Sequence, residues 1–482
     1  MCILQPSNGA RRAGRRAGVL GRSMLGQHRR EAHCRSLGRG GIESRNWSEI
    51  INDESGMRPI HYLGNKTRYL AEISSAVESV ASPGKVAVDL FSGSGVVARS
   101  LAQERPVLAS DVQHYSAILS SALCKSRHQD MLYAAPIISK ATDWLGSLGN
   151  ELTDLLKYED DALASVSQNP DAYADYVEKG IIASGDLKTS AYSRLLSRAA
   201  SVLEAAGGTV SRYYGGAYFS FRQALEIDAL SAAIKYERSS PGGDTFLAAL
   251  LGSASDSVGT VGNHFAQPMR LRDRVGVLKM AAIQRSVANR TASAFNLFEK
   301  KLSQYNDLTP TAYECTTAVG DYRDILSALK RNTSVIYADP PYTRDHYSRF
   351  YHVLETIALG DDPGVASAPG SSSPSRGLYR KERHQSPFSI RSQASKAFED
   401  LFSLARQKEA AIVLSYSPQG QGTKARPNTR LISIDELVQI AKVHFAKVDV
   451  MRIEKSVHSK FNATRFNGVA APQAEVMISA SL

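Results

Sequence analysis

Asp339-Pro340-Pro341-Tyr342 is the stretch of this 482-residue chain whose residue types could most directly do chemistry. It follows Ser334-Val335-Ile336-Tyr337-Ala338, an apolar run that predicts a buried parallel strand. A carboxylate, two prolines and an aromatic ring therefore stand where a strand ends, which is where open α/β sheets place their ligands. These types suit a planar amino group. Asp339 accepts one hydrogen bond from an exocyclic NH2, a backbone carbonyl at the proline pair accepts the second, and Tyr342 stacks on the ring that carries the amine. The prolines remove backbone donors and stiffen the turn. A strand-ending β-turn with Pro at its corner would use the same four residues without any ligand. Such a tetrapeptide arises by chance in on the order of one chain in 500, so a second motif has to decide.

That motif runs from Val86 to Ala98: Val-Ala-Val-Asp-Leu-Phe-Ser-Gly-Ser-Gly-Val-Val-Ala. An apolar strand enters a glycine loop, and a helix follows that is expected to end near Arg105. Val107-Leu108-Ala109-Ser110-Asp111 reads as the next strand with an acid at its end. Gly93 and Gly95 permit positive φ and close approach of backbone to a ligand. Asp111 lies where a ribose-hydroxyl acceptor is expected. Gly93 to Ala98 also fits the dinucleotide fingerprint, so the loop alone does not separate NAD from S-adenosylmethionine, and a tight β–α turn without ligand remains an alternative.

Taken in order, the segments resemble the Dam-like, alpha-group N6-adenine DNA methyltransferases. That family runs from an N-terminal cofactor motif through a glycine loop and a target-recognition region to Asp-Pro-Pro-Tyr. Tyr62-Leu63-Gly64-Asn65-Lys66 resembles the first motif, Asp89 to Gly95 the glycine loop, and Asp111 the ribose acid. Gly320-Asp321-Tyr322-Arg323-Asp324 resembles the acidic motif one strand before Asp339. Softer likenesses lie at Gly216 to Ser220 with Ile227-Asp228, Gly262 to Phe265, Tyr351 to Thr356 and Leu414 to Ser417. The resemblance implies an α/β fold, a Rossmann-like S-adenosylmethionine-dependent methyltransferase sheet with a largely helical inserted target-recognition domain. It implies S-adenosyl-L-methionine as cofactor, held by Tyr62, Lys66, Asp89, Phe91, Gly93, Gly95, Asp111, Asp321 (with Asp324 as alternative) and Asp339. Asp339, Pro340, Pro341 and Tyr342 would be catalytic, with no metal. Double-stranded DNA would be the partner, in a cytoplasmic, bacterial or phage-encoded setting; a cognate restriction endonuclease and the oligomeric state are left open.

The implied reaction is methyl transfer to the N6 amino group of an adenine flipped from the duplex, where N6 is otherwise out of reach. Asp339 and the Pro340 carbonyl would hold both N–H groups and favour a more tetrahedral nitrogen, whose lone pair attacks the methyl carbon. The sulfonium is already activated, so positioning and electrostatics carry the rate. Four other readings use some of the same residues. N4-cytosine methylation is one, although cytosine enzymes often carry Ser at the place of Asp339. Methylation of RNA or of a glutamine side chain, usually with Asn there, is another. An NAD enzyme and an inactive DNA-binding relative complete the set.

The elements that must position these groups divide the chain. Residues 1–57 form a basic arm: ten arginines and two glutamates within residues 1–45 carry +8 of the net +11, and their Gly- and Ser-rich surroundings predict disorder. Such an arm adds nonspecific DNA affinity or imitates a transit peptide, and translation starting at Met24 or Met57 would remove it. Residues 58–124 are read as the cofactor half and 125–310 as the target-recognition insertion, with helices over Trp144 to Leu156 and Ala191 to Ala206. Residues 311–482 are read as the catalytic half, with a mobile loop at 360–395 whose arginines and lysine would form a lid over the substrate or a plain surface linker. A helix over Ala394 to Gln407, a strand over Ala411 to Leu414, and an antiparallel pair, Val448 to Ile453 with Glu475 to Ile478, complete the sheet. Arg270 to Lys301 holds eight basic residues against two acids and reads as a helical stretch able to lie along phosphates, or as a solvated surface. Cys2, Cys34, Cys124 and Cys315 show no metal spacing and read as free thiols of a reducing compartment. No apolar run is long enough to span a bilayer.

Overall fold

The computed structural model describes residues 57–125, 130–184, 193–260, 262–330, 333–344, 346–417, 421–423, 426–428, 430–453 and 475–482. The arm before residue 57, with Cys2 and Cys34, lies outside them. Five strands run parallel: β1 (Val86–Asp89), β2 (Val107–Asp111), β3 (Cys315–Val319), β4 (Thr333–Ala338) and β5 (Ala411–Tyr416). A short pair, β6 (Gln421–Thr423) and β7 (Arg426–Asn428), stands apart, and β8 (Lys447–Ile453) and β9 (Glu475–Ser481) complete the set of described strands. The sheet order is β3-β2-β1-β4-β5-β9-β8, with β9 antiparallel to both of its neighbours. The chain winds outward from β1 through β2 to β3, then returns to β4 on the other side of β1. The strand order therefore reverses between β1 and β4, and a crevice opens beyond their carboxyl ends.

The strands form because each alternates two apolar faces. Ala87, Val107, Val335, Val413 and Met477 pack on one side against α1 (Leu70–Val80) and α2 (Val96–Leu101). Val88, Ile336, Ile412, Leu414, Val476 and Ile478 pack on the other. There they meet α13 (Tyr322–Ala328), α16 (Ala394–Gln407) and α17 (Ile434–His444), whose elements follow β3, precede β5 and follow β7. In α16 the buried residues Ala397, Phe398, Leu401, Phe402 and Ala405 recur at the spacing of one helical face. The helix after the glycine loop ends at Leu101, before the expected Arg105. The 3-10-like bonds Gln103 N to Ser100 O and Glu104 N to Leu101 O tighten its end, and the Arg105 guanidinium turns back to Glu78 and the Ser82 carbonyl.

After β2, α3 (His114–Lys125) leads into the insertion: α4 (Ala134–Ser147), α5 (Thr153–Ala164), α6 (Pro170–Lys179), α7 (Ser193–Ala206), α8 (Thr209–Tyr214), α9 (Phe221–Lys235), α10 (Gly243–Ser257), α11 (Met280–Arg290) and α12 (Ala294–Asn306). Between β4 and α16 lie α14 (Tyr347–Phe350) and α15 (His352–Leu359). The single helix expected over Trp144 to Leu156 is two, broken where Gly149 takes φ +59°. The basic stretch is also not one helix: Lys279 N bonds Leu271 O, a turn passes Gly276 at φ +92°, and α11 and α12 follow. Three of its cations are consumed internally. Arg272 pairs with Asp171, Asp175 and Glu178, the buried Arg290 donates to the carbonyls of Gly216, Ala217 and Phe219, and Lys301 meets Asp256 at 3.0 Å. Tyr115, Ile118 and Leu119 of α3 and Val353, Leu354 and Ile357 of α15 share one core with α9 and α10. Among the described residues no helix is long and apolar enough to cross a membrane.

Candidate active site

The crevice at the strand reversal is a cavity of about 1110 Å3, counting its open mouth, and both sequence motifs meet in it. Tyr62, Lys66, Asp89, Phe91, Gly93, Asp111, Asp321, Asp339, Pro340, Pro341 and Tyr342 line it; Gly95 and Asp324 do not. Gly95 serves packing instead. It takes φ +81° at the start of α2, and a Cβ there would stand 2.8 Å from the Ser120 Cα of α3. Gly93 is the close-approach position: at φ +52° a Cβ would lie 2.5 Å from the Tyr62 hydroxyl.

On the glycine-loop side, Asp111 Oδ2 accepts from Gly93 N at 3.1 Å and Oδ1 from Gln113 N at 3.0 Å. Burial pushes its carboxyl up to about 6 against these bonds. Asp89 is 1% exposed, and its Oδ2 has no partner among the described residues. Burial first, then Cys315, Asp339 and Asp111, raise its carboxyl well above the usual range. Phe91, with Phe388 packed edge-on behind it at 5.5 Å, stands beside Tyr322 at 6.2 Å, and Phe91 and Tyr322 make an apolar wall of the cavity. Asp321 caps α13 by accepting from Arg323 N at 3.0 Å. A ribose, an ammonium and an adenine ring each find a counterpart here: the Asp111 carboxylate, the orphaned Asp89 oxygen, and the aromatic wall. The residues fit S-adenosylmethionine.

On the other side the surprise is Lys66. Its ammonium, buried, lies 3.2 Å from Asp339 Oδ1 and 2.9 Å from Glu475 Oε1. Burial alone would lower this lysine, yet Asp339 and Glu475 outweigh it and hold it well above its ordinary value. Asp339 is pushed up to about 6 by burial, pulled down by Lys66 and up again by Glu475. Two of the three ammonium donors are thus committed to carboxylates, and one is left for a ligand. Glu475 carried no motif in the sequence. Its position was nonetheless readable in principle: β9 runs antiparallel to β5 with Val476 opposite Tyr416, so the first residue of β9 arrives at the carboxyl edge where ligands sit.

Lys66 leaves Asp339 Oδ2 open. Pro341 O accepts from Ser389 Oγ at 3.2 Å, while Pro340 O has no donor among the described residues. Two adjacent residues that line the cavity thus each keep an acceptor for an N–H group of one amine. Tyr342 tilts against Tyr416 at 4.7 Å, and the Arg430 guanidinium covers its ring at 4.6 Å. Arg430, which the sequence did not single out, covers one face of that ring and is not among the residues that line the cavity. Tyr62 stacks on Tyr351 at 5.0 Å, and the Tyr351 hydroxyl accepts from Leu63 N at 2.7 Å, which ties the first motif to the segment after Tyr342. Glu355 of α15 accepts from His114 N and Tyr115 N, capping α3 beneath the cavity.

Residues 62–150 and 280–412 match the D12 class N6 adenine-specific DNA methyltransferase family. The chain is also similar to the modification methylase LlaI of Lactococcus lactis subsp. lactis, with 34% identity over 147 residues. That alignment takes in 30% of this chain and 20% of the relative, so the chain spans about a fifth of the length of the curated relative it matches.

Proposed function

We propose, for a chain whose residues 62–150 and 280–412 match the D12 class N6 adenine-specific DNA methyltransferase family, that it methylates the N6 amino group of adenine in double-stranded DNA at specific sites. The observation that carries this reading is that Asp339, whose Oδ2 Lys66 leaves open, Pro340 and Tyr342 line the same cavity as Asp111 and the glycine loop. S-adenosylmethionine, when bound, supplies an electrophilic methyl group on a sulfonium.

Every other step belongs to the chain. Asp111 accepts ribose hydroxyls, the open Asp89 oxygen accepts an ammonium, and Phe91 with Tyr322 flanks an adenine ring. Asp339 and Pro340 O accept the two hydrogens of the target amine and withdraw its lone pair from the ring. Lys66 holds Asp339 ionised against its burial, and Glu475 fixes Lys66. Tyr342, which lines the cavity, stacks on the flipped base. The nitrogen's extra proton leaves after transfer. The largely helical insertion, residues 125–310, is assigned to target recognition.

The test is mass spectrometry of nucleosides from the DNA of a methylation-deficient host expressing the chain, beside Asp339→Ala. New N6-methyladenine with the wild type alone is the expected result. N4-methylcytosine would change the base and keep the amine chemistry. Near wild-type methylation by Asp339→Ala would overturn the assignment.

A further inference from the structure

A second groove adjoins the cavity, sharing Val112, Gln113, Ser348 and His384 with it. Arg380, Arg383, His352 and Glu355 also line it. Arg383 lies over the Tyr379 ring at 4.6 Å, and Arg349 approaches the same ring at 5.8 Å. Two guanidinium groups thus share one aromatic platform, and neither forms an ion pair with a carboxylate among the described residues. Arg383 Nε and Nη1 and Arg380 Nη1 are enclosed yet bonded to no acceptor among the described residues. An enclosed guanidinium donor without an acceptor is costly, and it stands as the kind of unmet demand that an anion satisfies.

The neighbouring acids do not meet that demand. Asp361 takes only Arg380 Nη2, at 2.6 Å, and Asp362 is engaged by Arg212 and Tyr213. Glu355 is committed to His114 and to the start of α3. Glu382 is exposed. His352 adds no charge, since burial lowers it to about 3 and its Nε2 lies 3.0 Å from the Phe265 carbonyl.

The backbone that presents these arginines is strained and fastened. Leu378 and Glu382 take φ +48° and +58°, a region that L side chains rarely adopt and that collects at ligand clamps. Tyr218 donates to Gly377 O at 2.7 Å and Tyr379 to Ala266 O at 2.7 Å, while Ala366 N bonds Tyr379 O at 2.7 Å. Part of the segment expected to be a mobile loop therefore holds a preorganised cationic edge beside the catalytic cavity.

We propose that this groove, through Arg383 with Arg380 and Arg349, grips a backbone phosphate of duplex DNA next to the flipped adenosine. A guanidinium fork matches two phosphate oxygens. The residues that the groove shares with the cavity put that phosphate beside the base turned inward. The inference rests on the DNA reading above.

The test measures binding of the full chain to a fluorescent duplex by anisotropy, from about 50 to 200 mM salt. Wild type, Arg383→Ala and Arg383→Lys are compared, with thermal unfolding and S-adenosylhomocysteine binding as checks of the fold. Arg383→Ala is expected to bind the duplex about tenfold more weakly at the lower salt and to lower the slope of log affinity against log salt by roughly 0.9 per lost phosphate contact. Arg383→Lys should recover part of the affinity, since the charge returns without the fork. A duplex with neutral methylphosphonates should weaken the wild type more than Arg383→Ala. Affinity and slope equal to wild type in a folded Arg383→Ala would overturn the proposal, as would equal losses on the neutral duplex. A chain that shows the expected slopes but leaves adenine unmethylated would defeat the methylation reading and not the phosphate site.

Discussion

At the scale of residues, the centre of the molecule is a lysine between two carboxylates. A buried ion group of this kind is weak grounds for stability, because desolvation of three charges offsets their attraction. Its value lies in control of Asp339, which must be ionised to accept an N–H. Burial raises Asp339 to about 6, so methylation in single-turnover or kcat/KM measurements should fall about tenfold for each pH unit below 6 and level off above it. The sign of each neighbour is fixed. Glu475 raises Asp339, so Glu475→Gln should move the acid limb to lower pH, whereas a residue that merely packed would lower the rate without moving the limb. An unmoved limb in Glu475→Gln would remove that role from Glu475.

At the scale of elements, the two glycines of one loop do different work. Gly95→Ala meets backbone at 2.8 Å and a positive φ, and neither is relieved by rotating a side chain. It should lower the unfolding free energy by more than about 1 kcal/mol in denaturant titrations. Gly93→Ala instead collides with the movable Tyr62 ring and should weaken S-adenosylhomocysteine binding more than stability. A Gly95→Ala protein as stable as wild type would show that α2 and α3 can part freely. The sequence made both glycines look like ligand contacts because a loop pattern reports positive φ, not what stands opposite. The same limit explains the other differences. Strands β1, β2, β4 and β5 were legible as apolar runs with period-two packing, and α16 was legible as one amphipathic stripe. The break at Gly149, the internal use of Arg272, Arg290 and Lys301, and the meeting of Lys66 with Glu475 depend on contacts between residues far apart in sequence, which no local period encodes.

At the scale of the whole molecule, charge sorts into what folds the protein and what is left over. Residues 1–56 carry ten arginines against five acids, so +5 of the net +11 belongs to them and +6 to the rest. Every described residue lining the cavity lies at Tyr62 or later. Cations such as Arg290, 3% exposed, are already spent on backbone carbonyls and give nothing to a distant phosphate. A chain beginning at Met57 should therefore keep its melting temperature and its affinity for S-adenosylhomocysteine. Its affinity for duplex DNA should drop at about 50 mM salt and approach that of the full chain near 200 mM, because exposed charges beyond a Debye length are screened. Methylation at low salt should then differ by a few fold at most. A truncated protein that melts like the full chain yet transfers no methyl group would place part of the catalytic machinery before Met57, and the cavity described above would be incomplete without it.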